Sequence, residues 1–215
     1  MSPVFLVQGR RSPGEMTRRY RLFRRLALIL GRILWGFDVV GAQRTPERGP
    51  LVIAANHQRF FDPVFVCMAV PRRVQWMAKK ELFVPGLRRL WPVLGAFPVD
   101  RQGGARSALR AALEYLSGGW ALGIFPEGTR RRRGGSPEAK SGAILLAARS
   151  GAPVLPVFVE ARPGLLARLR GARCRAYVGD PITLDRALRG REAYRRAADE
   201  LVREIYALPE KNAPR

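Results

Sequence analysis

Histidine is almost missing from this sequence: His57 is the only one in 215 residues. Cysteine is scarce too. Cys67 and Cys174 show no CxxC or Cys/His spacing, so no metal-ligand set is supported and buried, reduced thiols are expected. Acidic residues are few, 17 against 39 Lys and Arg, and the formal net charge is +22. An excess of that size implies an anionic partner: nucleic acid, an acidic membrane surface, an acidic protein or a phosphorylated substrate. The plainer alternative is a solvated arginine coat. No long hydrophobic run is present either. The most apolar stretch, LALILGRILWGFDVV, is shorter and more charged than the ~20 apolar residues a bilayer span needs. What remains is ample for folding, since 47% of the residues are hydrophobic, enough for one good-sized core. The start, MSPVFLVQGRRSPGEM, puts a short apolar run ahead of the basic residues, the reverse of a secretory leader, and a cytosolic location is expected.

From Thr17 to Val40 the periodicity is helical. At about 100° per residue, Leu22, Phe23, Leu26, Ala27, Ile29, Leu30, Ile33 and Leu34 gather on one arc. Arg18, Arg21, Arg24, Arg25 and Arg32 fall opposite, with Arg19 the exception, and Trp35 and Phe37 stand near the end. A basic amphipathic helix of this kind suits the plane of a membrane interface. The alternative is that its apolar face packs on the rest of the chain. A division into a docking segment, 1–45, and a main domain, 46–215, follows.

Strands and helices then alternate. Strands are predicted at 50–55, 73–78, 96–100, 120–125, 153–160 and 174–179. Helices are predicted from Asp62-Pro63 onward and at 85–95, 105–119, 138–151 and 190–207, with a frayed tail and no internal repeat. Asp62 is a candidate N-cap and Pro63 the first helical residue. This alternation predicts an α/β fold with a mostly parallel sheet flanked by helices. Ligands in such folds sit beyond the carboxyl ends of the strands. Two polar clusters fall there: NHQRFFDP after the first strand and PEGTRRRRGG after WALGIF.

In the first cluster His57 precedes Asp62 by five residues. A helix would set them about 140° apart, but a turn can pair them. A carboxylate holding Nδ1–H of a histidine leaves the other ring nitrogen as a base. With no serine in the motif, that base would act on a hydroxyl of the substrate, which points to direct acyl transfer to an alcohol. The competing reading is a capped helix beside a hydrogen-bonded histidine. In the second cluster Gly128 allows close backbone approach, and Thr129 and Arg130 offer a hydroxyl and a planar fork for phosphate. Glu127 suits an acceptor for a hydroxyl, or a partner that orients Arg130. Arg131, Arg132 and Arg133 read as a solvated or membrane-facing run.

NHQRFFD and FPEGTR, in this order and some sixty residues apart, resemble the lysophosphatidate acyltransferase (1-acyl-glycerol-3-phosphate acyltransferase) family. GAFPVDR resembles that family's block ending in a phosphate-binding arginine, here Arg101. AKKELF resembles its lysine segment, with Lys80 the match, and VLPV, with Pro156, its last block. The resemblance spans about residues 50–160, and the N-terminal helix fits the family's docking element. Arg59 departs from it, standing where many members carry serine, as does Pro98. The resemblance implies His57 and Asp62 as catalytic residues, and Lys80, Arg101, Glu127, Gly128, Thr129 and Arg130 as substrate-binding residues. It implies lysophosphatidate as acceptor, acyl-CoA or acyl carrier protein as donor, no metal or cofactor, and the cytoplasmic face of an anionic membrane. Other lysolipid acceptors stay open because of Arg59. A nucleic-acid partner is not expected, since no helix-turn-helix or RNP signature accompanies the charge. A non-catalytic membrane scaffold is disfavoured by two complete motifs.

Overall fold

The computed structural model describes residues 16–84, 91, 93–99, 104–128, 139–185 and 187–213. Its centre is β2 (Leu51–Ala55), every residue of which is buried. Leu51, Ile53 and Ala55 face one core, while Val52 and Ala54 face another. A strand covered on both sides has no polar face to show, so it reads as an unbroken apolar run.

The other strands are β1 (Asp38–Val40), β3 (Val74–Lys79), β4 (Ala96–Val99), β5 (Ala121–Ile124), β6 (Val154–Val159) and β7 (Arg175–Val178). They form one seven-stranded sheet in the order β1-β7-β6-β2-β5-β3-β4. All neighbouring pairs are parallel except β6–β7. The mostly parallel α/β sheet expected from the alternation is therefore what forms. Pro156 lies within β6 opposite Ala54 of β2. Its carbonyl accepts from the Gly179 N–H. The missing N–H of Pro156 thus points to the β7 side, just past the end of that ladder, where β7 does not need it.

Helix α1 (Arg18–Trp35) and α2 (Asp62–Ala69) cover one face of the sheet. Helices α3 (Gly104–Ser117), α4 (Gly142–Ser150) and α6 (Arg191–Lys211) cover the other. A short helix, α5 (Leu165–Leu169), lies between β6 and β7. Three boundaries differ from the sequence reading. The first helix stops at Trp35, because Gly36 takes a left-handed cap: its N–H donates to the Arg32 carbonyl, and the Phe37 N–H to the Gly31 carbonyl. Asp38–Val40 then joins the sheet beside β7, so the segment 1–45 supplies an edge strand as well as a helix. The last helix runs on to Lys211, because Leu208 packs into the core at 2% exposure. Most of the helix expected at 85–95 lies outside the described residues.

Helix α1 uses only part of its apolar surface on the domain. Tyr20 is fully buried, and its hydroxyl donates to the Arg72 carbonyl (3.4 Å) and accepts from the Val74 N–H (3.2 Å). Arg24 donates to the Cys67 and Met68 carbonyls near the end of α2, at 3.1 and 2.8 Å. A guanidinium there meets orphan carbonyls and the negative end of the helix dipole. Phe23, Ala27, Leu28 and Trp35 pack inward. Leu22, Leu26, Ile29, Leu30, Ile33 and Leu34 stay exposed, by 46% to 68%. Most of the predicted apolar arc is therefore not consumed by packing. Among the described residues no helix is long and apolar enough to cross a membrane.

Candidate active site

β2 and β5 are parallel neighbours, so the segments after their carboxyl ends leave the sheet side by side. Asn56, the first residue beyond β2, is buried. Its amide donates to the Val159 carbonyl (2.9 Å) and accepts from the Val159 N–H (2.8 Å), pinning the strand end to β6. His57 follows in a fixed position.

The chain from His57 to Asp62 turns, as pairing requires. His57 Nδ1 lies 3.2 Å from Asp62 Oδ2. The same oxygen accepts the backbone N–H groups of Gln58 and Arg59, both at 2.6 Å. Asp62 is only 6% exposed, so its carboxylate is satisfied by these three groups rather than by water. The expected N-cap role of Asp62 is corrected: Phe61 occupies the cap position and Asp62 is the first residue of α2. The carboxylate faces back toward residues 57–59, because that is where three donors wait for an acceptor.

The imidazole is stacked. His57 and Phe125 lie 4.0 Å apart at 14°, and Phe125 and Trp76 lie 5.0 Å apart at 19°. These rings come from the ends of β2 and β5 and from within β3. Register sets the last contact, since Trp76 stands opposite Gly123. A Cβ on Gly123 would come within 2.6 Å of the Trp76 ring. Gly123 therefore lets the indole lie down beside β5. The Trp76 indole N–H donates to Cys67 Sγ at 3.3 Å, which fixes its tilt.

Glu127 closes the other side. It is buried, and its Oε1 accepts the His57 backbone N–H (3.4 Å) and the Tyr206 hydroxyl (2.8 Å). Its Oε2, also buried, has no hydrogen-bond partner among the described residues. Gly128 has a φ of +71°, and a Cβ there would meet Lys140 Cε at 2.6 Å. Lys140 thus lies over Gly128, held by its N–H to the Pro126 carbonyl at 2.7 Å.

The structure thus brings His57, Asp62, Glu127 and Gly128 together. Lys80 is exposed in the 3-10 turn Lys80–Leu82, at the carboxyl end of β3 and so at the same edge of the sheet. Arg101, Thr129 and Arg130 lie outside the described residues. Four neighbours escaped the sequence reading: Tyr206, Lys140, Phe125 and Trp76. Tyr206 is remote in sequence and sits in a helix that looks like a charged surface helix. Among the described residues no group of three or more His, Cys, Asp or Glu side chains is placed to hold a metal ion.

A base held by a carboxylate, with no serine or cysteine nucleophile in its motif, beside a glycine-containing turn, is a layout for moving a group between two bound substrates. A sequence profile of the acyltransferase family matches residues 36–160, more than half of the chain. The chain belongs to the acyltransferase family. It is 28% identical over 149 residues to a 1-acyl-sn-glycerol-3-phosphate acyltransferase of Bacillus subtilis, covering 68% of this chain and 74% of that one. It is 30% identical over 191 residues to the alpha enzyme of that name from Bos taurus, covering 84% of this chain and 64% of the bovine protein. This acyltransferase thus spans under two thirds of the bovine protein's length. Its fold is similar to the crystal structure of the 1-acyl-sn-glycerophosphate acyltransferase PlsC from Thermotoga maritima. The TM-score is 0.69 and the identity 24%, over 91% of this chain and 80% of that one.

Proposed function

We propose that this acyltransferase moves a fatty acyl group from acyl-CoA or acyl carrier protein to the sn-2 hydroxyl of 1-acyl-glycerol-3-phosphate, giving phosphatidate for phospholipid biosynthesis. The observation that carries this reading is the His57–Asp62 pair at 3.2 Å, set beside Glu127 at the carboxyl ends of two adjacent strands. The names of the relatives support the choice of acceptor.

In this reading His57 Nε2 takes the proton of the sn-2 hydroxyl as the oxygen attacks the thioester carbon. Asp62 holds the other ring nitrogen and balances the imidazolium. The tetrahedral intermediate carries an oxyanion, for which backbone N–H groups near Gly128 are the candidate donors. Collapse breaks the C–S bond, and the leaving thiolate takes its proton from His57, which restores the base. Arg101, Arg130, Thr129 and Lys80 hold the phosphate of the acceptor, and Lys140 adds an ammonium over Gly128. Glu127 accepts from a substrate hydroxyl or orients Arg130.

The acceptor is a lipid, so the site works at the cytoplasmic face of an anionic membrane. Residues 1–45 are the docking segment, whose β1 also completes the sheet of the 46–215 acyltransferase domain. The exposed leucines and isoleucines of α1, flanked by Arg18, Arg21, Arg25 and Arg32, suit an interfacial position.

The deciding experiment is a panel of lysolipid acceptors with acyl-CoA and acyl carrier protein donors. Phosphatidate formation from 1-acyl-glycerol-3-phosphate is expected, and its loss in His57→Ala with an unchanged circular dichroism spectrum. A His57→Ala enzyme acylating at the wild-type rate would refute the mechanism. Preference for another lysolipid would replace the acceptor and keep the chemistry.

A further inference from the structure

The most exposed large apolar side chains on the described surface are not on α1. They are Leu166 (72%) and Leu169 (76%) of the short helix α5. Spaced by three, they share one side of the helix. Nothing in the proposed chemistry uses them.

Their position is informative. Arg168, between them, turns inward: a Cβ on Gly36, the cap of α1, would lie 3.2 Å from its Cζ. The return from α5 is tied to the same place, since the Cys174 N–H donates to the Trp35 carbonyl (3.0 Å). Ahead of α5, the Arg162 guanidinium stands over the rings of Trp35 (5.8 Å), Phe61 (5.8 Å) and Phe65 (5.1 Å). α5 is therefore anchored beside the last turn of α1, which exposes Ile33 and Leu34, and beside the turn that carries Phe60 and Phe61. Those phenylalanines, 62% and 56% exposed, directly precede Asp62. Three apolar outcrops from distant parts of the sequence thus ring one corner of the molecule next to the catalytic turn.

The charge around this corner is one-sided. Residues 160–175 carry five arginines and a single acid, Glu160. Glu160 is occupied, accepting from the Arg175 N–H and the Tyr177 hydroxyl. Leucines at the tip of a short element with arginines around its base match the profile of an anionic bilayer, with an apolar interior below a phosphate layer. An acidic protein would satisfy the arginines but would not need exposed leucine and phenylalanine tips in the same corner.

We propose that α5 is a second membrane contact, which inserts Leu166 and Leu169 into an anionic bilayer while α1 lies along it. A second contact beside the end of α1 fixes the molecule's roll about that helix, which α1 alone would leave free. With both engaged, the Phe60–Phe61 turn faces the lipid and the His57 site opens toward an acceptor arriving from the bilayer. This inference rests on the docking role of α1 proposed above, and the test separates the two.

An environment-sensitive fluorophore is attached in turn to Leu169→Cys, Leu30→Cys and Arg196→Cys, the last an exposed position on α6 across the sheet. Cys67 and Cys174 are buried, so the introduced thiol takes the label. On adding phosphatidylcholine–phosphatidylglycerol vesicles, blue-shifted emission is expected at positions 169 and 30 and none at 196. The Leu166→Asp, Leu169→Asp double variant should co-sediment with these vesicles about tenfold less. A shift at 30 with none at 169 would overturn the α5 contact and leave α1 docking intact. No shift at either position would overturn both. A shift at 169 that grows with protein concentration before vesicles are added would assign this corner to a second copy of the chain and overturn the proposal.

Discussion

Replacing Asp62 separates two jobs that one oxygen performs. Oδ2 faces His57 Nδ1 and accepts two backbone N–H groups at 2.6 Å, in a site where Asp62 is 6% exposed. Asp62→Asn keeps the volume and one carbonyl oxygen, so the backbone donors can retain a neutral acceptor. In the proposed mechanism it removes the charge that would fix the imidazole tautomer and stabilise the imidazolium. By analogy with carboxylate–histidine pairs elsewhere, kcat should fall by about 10³ to 10⁴, or ~4 to 5.5 kcal/mol on the barrier. Folding should lose about 1 to 3 kcal/mol, as charge-assisted bonds become neutral ones. Asp62→Ala should cost more stability, on the order of 2 to 4 kcal/mol, because it leaves three part-buried donors without an acceptor. The assay is thioester consumption, followed by thiol release, with denaturant unfolding of the same preparations. An Asp62→Asn enzyme within about threefold of the wild-type kcat would refute the dyad and leave Asp62 as a structural acceptor only. Equal stability of the two variants would refute the hydrogen-bond account of the turn.

Tyr206→Phe removes the 2.8 Å donor to Glu127 Oε1 and leaves the fold intact. It should lower kcat/KM about tenfold and cost about 1 kcal/mol of stability, measured by steady-state kinetics and denaturant unfolding. Gly123→Val drives a branched side chain into the Trp76 ring. It should destabilise the protein by about 2 to 3 kcal/mol and disturb the Trp76–Phe125–His57 stack, visible as a change in near-ultraviolet dichroism. Alkaline stability carries a third signature. Burial raises the pKa of Tyr20 and Cys67, and pushes Tyr115 and Cys174 up to about 12, with Glu160 adding to the rise at Cys174. Each group stays neutral when folded and ionises sooner when unfolded, so its contribution is intact below the unfolded pKa and lost as pH climbs toward the folded one. For Cys174 the window runs from 9.0 to about 12. Cys174→Ala should flatten the decline in stability above about pH 9, read from Tm across pH 7 to 10.5.

The strands were legible because the sheet is buried on both faces. Runs such as PLVIAA and PVLPVFV need no partner to be recognised, and six of the seven strands fall where predicted. The strand that was missed, β1, has only three residues and carries Asp38 on an exposed edge, so nothing in its composition separates it from a helix end. Helix α5 was hidden for a similar reason: five residues give too little periodicity. The paired His57 and Asp62 were readable because they fall in a polar cluster directly after a buried apolar strand. Tyr206 was not, since its role depends on where α6 crosses the sheet. The stack under His57 was not legible either, because register, and not residue type, sets Trp76 against Gly123.

Arg59 also serves the turn through its backbone. From the sequence it is an odd residue inside a catalytic motif, and its guanidinium invites a role. In the fold its side chain is exposed, and what it gives the site is a backbone N–H to Asp62. Gln58 makes the same contribution. The turn therefore constrains the number of residues between His57 and Asp62, and the presence of N–H groups at positions 58 and 59, far more than the side chains there. Arg59→Ser should leave kcat within about threefold of wild type, because it changes only an exposed side chain and keeps the backbone N–H that Asp62 accepts. Arg59→Pro would delete one of the two 2.6 Å donors and should cripple both folding and transfer. An Arg59→Pro enzyme with normal kcat would show that the amide is dispensable and that the turn is held by something other than the Asp62 carboxylate. A large KM effect confined to Arg59→Ser would instead give the guanidinium a place on the acceptor.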